Sequence, residues 1–115
     1  METMKIWLLC LFLLSGCILL GLGIPLIRGL VAPNPIYGFR IRRTLENPNV
    51  WYAANRYAGW WMVGVGIGLM VAATGLYAAP GISFLKYAII CGAVEMGGLL
   101  IGIVQSFRYV GRLRD

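Results

Sequence analysis

Three arginines, Arg40, Arg42 and Arg43, fall within four positions of one another in a polar stretch over residues 37–59, YGFRIRRTLENPNVWYAANRYAG. A guanidinium presents a planar fork of N–H donors that matches phosphate oxygens two at a time. For a chain embedded in lipid, the nearest abundant phosphates are phospholipid headgroups. Asn34, Asn47 and Asn55 stand around the arginines, and each amide can both donate and accept hydrogen bonds. Tyr37, Trp51 and Trp60 could wall an interfacial pocket. The stretch thus offers a headgroup-binding site made of Asn34, Tyr37, Arg40, Arg43, Asn47, Trp51 and Asn55. The plainer alternative is that the arginines only anchor topology, while Asn and Trp satisfy the loop's own backbone. Arg40, in a turn-prone segment after Tyr37 and Gly38, and Asn55, close to an apolar span, are the residues most worth a specific partner. Arg28, Arg42, Arg112 and Arg114 read as plain anchors.

Two further polar side chains sit within apolar surroundings, Glu95 and Gln105. An exposed charge near the middle of a membrane span costs at least about 2.5 kcal/mol. Glu95 must therefore face protein, stay protonated or line a polar cavity. It could bond a neighbouring backbone or hydroxyl, relay a proton or hold a cation, or meet an arginine dipping in from the loop. A small proton-coupled transporter built on Glu95 is one alternative function. A lipid-phosphate-modifying enzyme is another, but it needs a nucleophile or base beside the cationic clamp. The chain has no His, no paired carboxylates and no nucleophile motif, and Glu46 is the only loop-side carboxylate before Asp115. Catalysis is therefore not expected, nor is a metal or other cofactor. Cys10, Cys17 and Cys91 lie in apolar runs and form no C-x-x-C pair, so they read as buried thiols and not as a disulfide framework.

The elements that must hold these residues follow from composition. The chain is 60% hydrophobic and 12% charged, against about 25% charged for soluble domains. This predicts one all-α membrane domain over residues 1–115. Three apolar runs, at 6–27, 58–79 and 84–107, are each long enough at about 1.5 Å per residue to cross a hydrocarbon core of about 30 Å. Pro25 lies near the end of the first run, where a break costs least. Pro80 and Gly81 stop the second, and Lys86 and Tyr87 sit near the start of the third as interfacial anchors. Between the first two runs, residues 33–59 form a motif loop and a helix start. Asn47 is a suitable N-cap and Pro48 fits the first helical position. Trp51, Asn55 and Gly59 then share one helix face. The segment RIRRTLE shows no clear periodicity.

With three spans, the first loop and the tail share a side. That side holds Arg28, Arg40, Arg42, Arg43, Arg56, Arg108, Arg112 and Arg114, against Lys5 and Lys86 on the other. The asymmetry predicts a cytoplasmic first loop and C-terminus and an external N-terminus. The net charge of +6 is accounted for by anionic lipid and orientation, so direct nucleic-acid binding is not expected. The segment LLSGC at 13–17 resembles a lipoprotein processing site, but cleavage there would fall inside the span. Helix packing in lipid relies on close approach. Gly64, Gly68 and Ala72, with Gly66 nearby, offer one small-residue ridge. Gly92, Gly98 and Gly102, with Cys91, offer another, which should turn Glu95 inward. A single three-helix chain of this size offers little interior, so self-association is expected.

The pattern PN-x-x-YGFR followed by TL-x-NP-x-x-W-x-x-AN-x-x-AG, carried here by Asn34, Tyr37, Gly38, Arg40, Thr44, Leu45, Asn47, Trp51, Asn55 and Gly59, resembles the signature of the SdpI-type family. These bacterial membrane proteins include the immunity protein against the sporulation-delay toxin. The resemblance implies a multi-pass protein of the bacterial cytoplasmic membrane. It also implies a function in toxin immunity and signalling, with a membrane-active peptide as ligand and a cytoplasmic transcriptional repressor as partner. Joined to the residue chemistry, the reading is a membrane-embedded binding protein that engages a lipid headgroup or such a peptide through its first loop.

Overall fold

The computed structural model describes residues 2–113; Arg114 and Asp115, the last residues of the basic tail, lie outside the described residues. Four helices follow one another: α1 (Glu2–Ile27), α2 (Arg42–Glu46), α3 (Pro48–Ala78) and α4 (Phe84–Arg112). Among the described residues, α1, α3 and α4 are long and apolar enough to cross a membrane. The protein is therefore an all-α, three-span membrane protein. The molecule is a rod of 53 × 23 × 19 Å.

Each helix starts and stops for local reasons. Asn47 caps α3 by accepting from the Asn49 N–H, with Pro48 at the first helical position. From there α3 runs unbroken through the second apolar stretch. The Ser83 hydroxyl caps α4 by accepting from the Lys86 N–H at 3.1 Å. At the end of α1, Gly29 adopts φ +70°. The Leu30 N–H donates to the Pro25 carbonyl and the Gly29 N–H to the Leu26 carbonyl. This is the left-handed glycine stop that satisfies the last carbonyls of a helix. The short α2 has no counterpart in the sequence reading, because its single turn is held by Thr44 and not by an apolar stripe: the Ile41 N–H donates to Thr44 Oγ1 at 2.9 Å.

The central helix is α3, with α1 and α4 packed on it and touching each other much less. Two glycine crossings join α1 to α3. A Cβ on Gly23 would stand 2.8 Å from the Gly59 carbonyl oxygen, and one on Gly66 would stand 2.9 Å from that of Gly16. The backbones therefore touch, as small residues permit in lipid. Of the glycines expected on α3, Gly66 makes contact but the main ridge does not. Gly64 and Gly68 meet nothing within 4 Å, and neither does Gly92. On α4, Gly98 seats Val65 and Gly102 seats Trp61. The expected inward face of α4 is thus right at Cys91, Gly98 and Gly102 but turns outward at Gly92.

The three long helices meet at the end away from the first loop. Phe12, Leu69, Ala73, Tyr87 and Cys91 form a core there. The Phe12 and Tyr87 rings pack edge to face with centroids 6.2 Å apart. Tyr87 donates its hydroxyl to the Ala73 carbonyl at 2.8 Å, and Lys5 reaches across to the Ile82 carbonyl. Of the three cysteines, Cys91 is buried as expected, whereas Cys10 and Cys17 are exposed on the outer face of α1. At the opposite end a second core of Val50, Ala54 and Val110 is completed by Phe39, Ile41 and Leu113. The first loop enters the fold at this point.

Candidate functional site: a polar cap on three helix ends

The loop is built outward from Asn34. Its Oδ1 accepts from the Ile36 and Tyr37 N–H groups, and its Nδ2 donates to the Ala32 and Tyr37 carbonyls. A side-chain amide thus replaces a backbone turn between Pro33 and Pro35, as Asn commonly does. Gly38 follows at φ +120°. A Cβ there would stand 2.7 Å from Asn55 Oδ1 and 3.0 Å from the Trp51 ring, so both conformation and space require glycine.

Asn55 reads this loop like a strand partner. Its Oδ1 accepts from the Phe39 N–H, while its Nδ2 lies 3.0 Å from the Trp51 carbonyl and 3.4 Å from that of Phe39. Trp51 is fully buried beside it and donates Nε1–H to the Val31 carbonyl at 2.8 Å. Thr44, also fully buried, places its hydroxyl within 3.0 Å of the Phe39 and Ile41 carbonyls. Tyr37 donates its hydroxyl to the Leu22 carbonyl of α1. Partial burial raises its pKa above the ordinary 10.0, because burial disfavours the phenolate. Arg56 donates Nε–H to the Ile27 carbonyl at 3.0 Å. Arg43 donates to the Val110 and Leu113 carbonyls at the end of α4. Carbonyls without intrahelical partners and the negative end of a helix dipole attract such cations.

The predicted site residues therefore divide. Asn34, Tyr37, Arg43, Asn47, Trp51 and Asn55 bond to backbone within the cap or at helix ends. Arg40 is exposed and bonds the Pro35 carbonyl through Nη1. Arg42 pairs with Glu46 at 2.9 Å, both largely in solvent. Trp51, Asn55 and Gly59 do share a buried face, as their spacing requires. The aromatic wall differs from expectation: Trp60 points outward at 60% exposure, and Trp61 takes the inner position. Glu95 lies further along α4, half-buried, with no hydrogen bond or ion pair among the described residues. Gln105 is likewise half-buried and unbonded among them. Neither joins the cap. No group of three or more His, Cys, Asp or Glu side chains suited to a metal occurs among the described residues.

Sequence reading undervalued Thr44 and Arg56. Thr44 stood in the TL-x-NP motif and Arg56 among the loop-side arginines, but neither was given a role in the site. Of the pocket walled by Tyr37, Trp51 and Trp60 that the sequence offered, the cavity beneath the cap keeps Tyr37 and takes Trp61 in place of Trp60. This space of about 260 Å³ is roofed by Tyr37, Gly38 and Phe39, floored by Ala58, Trp61, Met62 and Val65, and walled by Leu26 of α1 and by Gly98, Gly102 and Ser106 of α4. Phe39 is held in the roof by the Phe107 ring, edge on at 5.1 Å.

No curated protein and no solved structure matches the chain. Residues 30–107 match the SdpI/YfhL protein family. That interval opens at the glycine stop of α1, takes in the whole cap and ends near the close of α4, so the chain belongs to the SdpI/YfhL family.

Proposed function

We propose that this multi-pass membrane protein is a binding protein of the toxin-immunity and signalling type, engaging an anionic phospholipid headgroup through its first loop. One observation carries the reading. The cap's polar atoms are spent on its own backbone and on helix-end carbonyls, which fixes the loop, yet among the described residues the exposed Arg40 guanidinium is engaged on one side only, by Pro35. A fixed fork of donors at the loop surface is preorganised for a phosphate. The basic excess on the loop side supports a cytoplasmic cap and tail with the N-terminus outside. Family membership extends the proposal to a membrane-active peptide as ligand and to a cytoplasmic repressor as partner, with self-association as a further element.

The test is lipid retention. Native mass spectrometry of the purified protein should show a retained phosphatidylglycerol, and Arg40→Ala should lose it while still inserting. A wild-type protein that retains no anionic lipid overturns the reading. For immunity, expression should protect a sensitive cell from the membrane-active peptide encoded nearest its own gene. Lack of protection rejects that part alone.

A second reading rests on the half-buried, unbonded Glu95: a proton-coupled transporter. Glu95→Gln should then abolish flux, and equal transport by that variant excludes it. The enzyme reading finds less support, since Glu46, the carboxylate nearest the arginines, is paired to Arg42 on the surface.

A further inference from the structure

α1 is locked to α3 by its glycine crossings, and α4 is seated on α3 through Gly98 and Gly102. Contact between α1 and α4 is slight. Their separation near the cap leaves the cavity open sideways: Ile103 belongs to its wall and is 49% exposed. The cap closes it at the end, so entry is from the bilayer. At about 260 Å³ the space exceeds the roughly 150 Å³ apolar cavity that stays dry and takes up benzene. Its lining is apolar apart from Ser106 and the backbone of the cap.

Its wall carries one hydroxyl that opens onto the cavity; no fully buried side-chain polar atom is left without a partner among the described residues. Ser106 is 2% exposed and lines the cavity, and its hydroxyl has no hydrogen-bond partner among the described residues. A serine inside a helix commonly returns its hydroxyl to the carbonyl four residues back; here it faces the cavity instead. Ser106 lies six residues before the end of α4 at Arg112, about 9 Å along the axis. The polar interface of a bilayer is about 5–7 Å thick on each side, so with Arg112 at its outer edge the hydroxyl falls close to its inner boundary, near the depth of lipid ester carbonyls. From Ser106 the wall descends to Gly98, about 12 Å further into the membrane. The exposed Arg40, Arg108 and Arg112 stand at the same end.

We propose that this slot holds one acyl chain of an anionic phospholipid, whose ester carbonyl accepts from the Ser106 hydroxyl and whose phosphate meets Arg40. The proposal rests on the headgroup reading for its charge preference and on the cavity for its chain. A single chain fits where a whole helix does not, and a chain carrying one acceptor near its polar end answers the one unpaired hydroxyl.

The experiment uses the full chain in detergent with phosphatidylglycerol bearing a photoreactive diazirine at mid-chain, and phosphatidylcholine as the neutral control. Cross-links should map to Met62, Val65 or Leu99, and native mass spectrometry should show one retained phosphatidylglycerol. Ser106→Ala should weaken retention about five-fold, the effect of one hydrogen bond. Ala58→Phe, which fills the floor, should abolish the mid-chain cross-link. Should that variant fail to fold, Ser106→Ala and the wild-type cross-link still decide. If Arg40→Gln weakens retention but Ser106→Ala does not and cross-links spread over outward Leu85, Ile89 and Met96, the slot is overturned and the headgroup reading stands. If Ser106→Ala and Ala58→Phe act while Arg40→Gln has no effect and both lipids cross-link alike, the slot stands and the headgroup reading falls. Cross-linking between two protein copies through Ile103, at the expense of lipid, assigns the slot to self-association and overturns the proposal.

Discussion

Asn55 spends its amide on both backbone groups of Phe39 and on the Trp51 carbonyl. Removing it leaves buried donors and acceptors unmet, each at roughly 1–3 kcal/mol. Asn55→Ala should therefore lower unfolding stability by at least about 1 kcal/mol, read from denaturant titration in micelles. Arg42→Ala should cost less than about 0.5 kcal/mol, because its ion pair with Glu46 is screened by water at 90% and 63% side-chain exposure. Equal losses for the two would mean that the cap is not locked through Asn55. Tyr37 adds a pH signature. Its folded-state pKa lies above the ordinary 10.0, so the folded state holds its proton more firmly. The resulting stability is fully present below pH 10 and is lost as pH rises through the raised value. Stability should fall above pH 10 in the wild type by more than in Tyr37→Phe; parallel curves would remove Tyr37 from the account.

Among the long helices, the question is which small residues touch. Gly23 and Gly59 face each other, with a Cβ at either position reaching 2.7–2.8 Å from the opposite carbonyl oxygen. Neither contact can be relieved by turning a side chain. Gly59→Ala should force α1 away from α3 at a cost of about 1–3 kcal/mol. Gly64→Ala meets nothing within 4 Å and should be neutral, or stabilising by up to about 1 kcal/mol from helix propensity. Thermal melts of the pair measure the difference. Both substitutions add one methyl to the same helix, so only the neighbour's position separates them.

The whole molecule joins three helices firmly at one end and ties them with a cap at the other. Trp51 and Arg56 hold the chain leaving α1, Arg43 holds the end of α4, and Asn55 holds the loop to α3. The cap is consequently one body with the helix ends. In the proposed orientation it faces the cytoplasm. In a background with Cys10, Cys17 and Cys91 replaced by serine, a membrane-impermeant thiol reagent should label Asn49→Cys in inside-out vesicles and not in intact cells. The opposite pattern would invert the orientation and with it every partner assigned to the cap.

The sequence by itself determined the three spans and the entry into α3. Apolar run length sets whether a helix can cross, and Asn47 with Pro48 starts a helix through contacts confined to one turn. The motif of Asn34, Gly38, Thr44, Trp51 and Asn55 was legible as a unit, though its residues could be read as a ligand site or, more plainly, as an internal lock. Only the tertiary structure decided that the amides bond the loop's own backbone, that Gly23 and Gly59 touch while Gly64 and Gly68 do not, that Trp61 replaces Trp60 inside, and that Ser106 faces a cavity. The last three depend on the rotation of one helix against another. In lipid that rotation is set by the close fit of two surfaces, not by the hydrophobicity of either one.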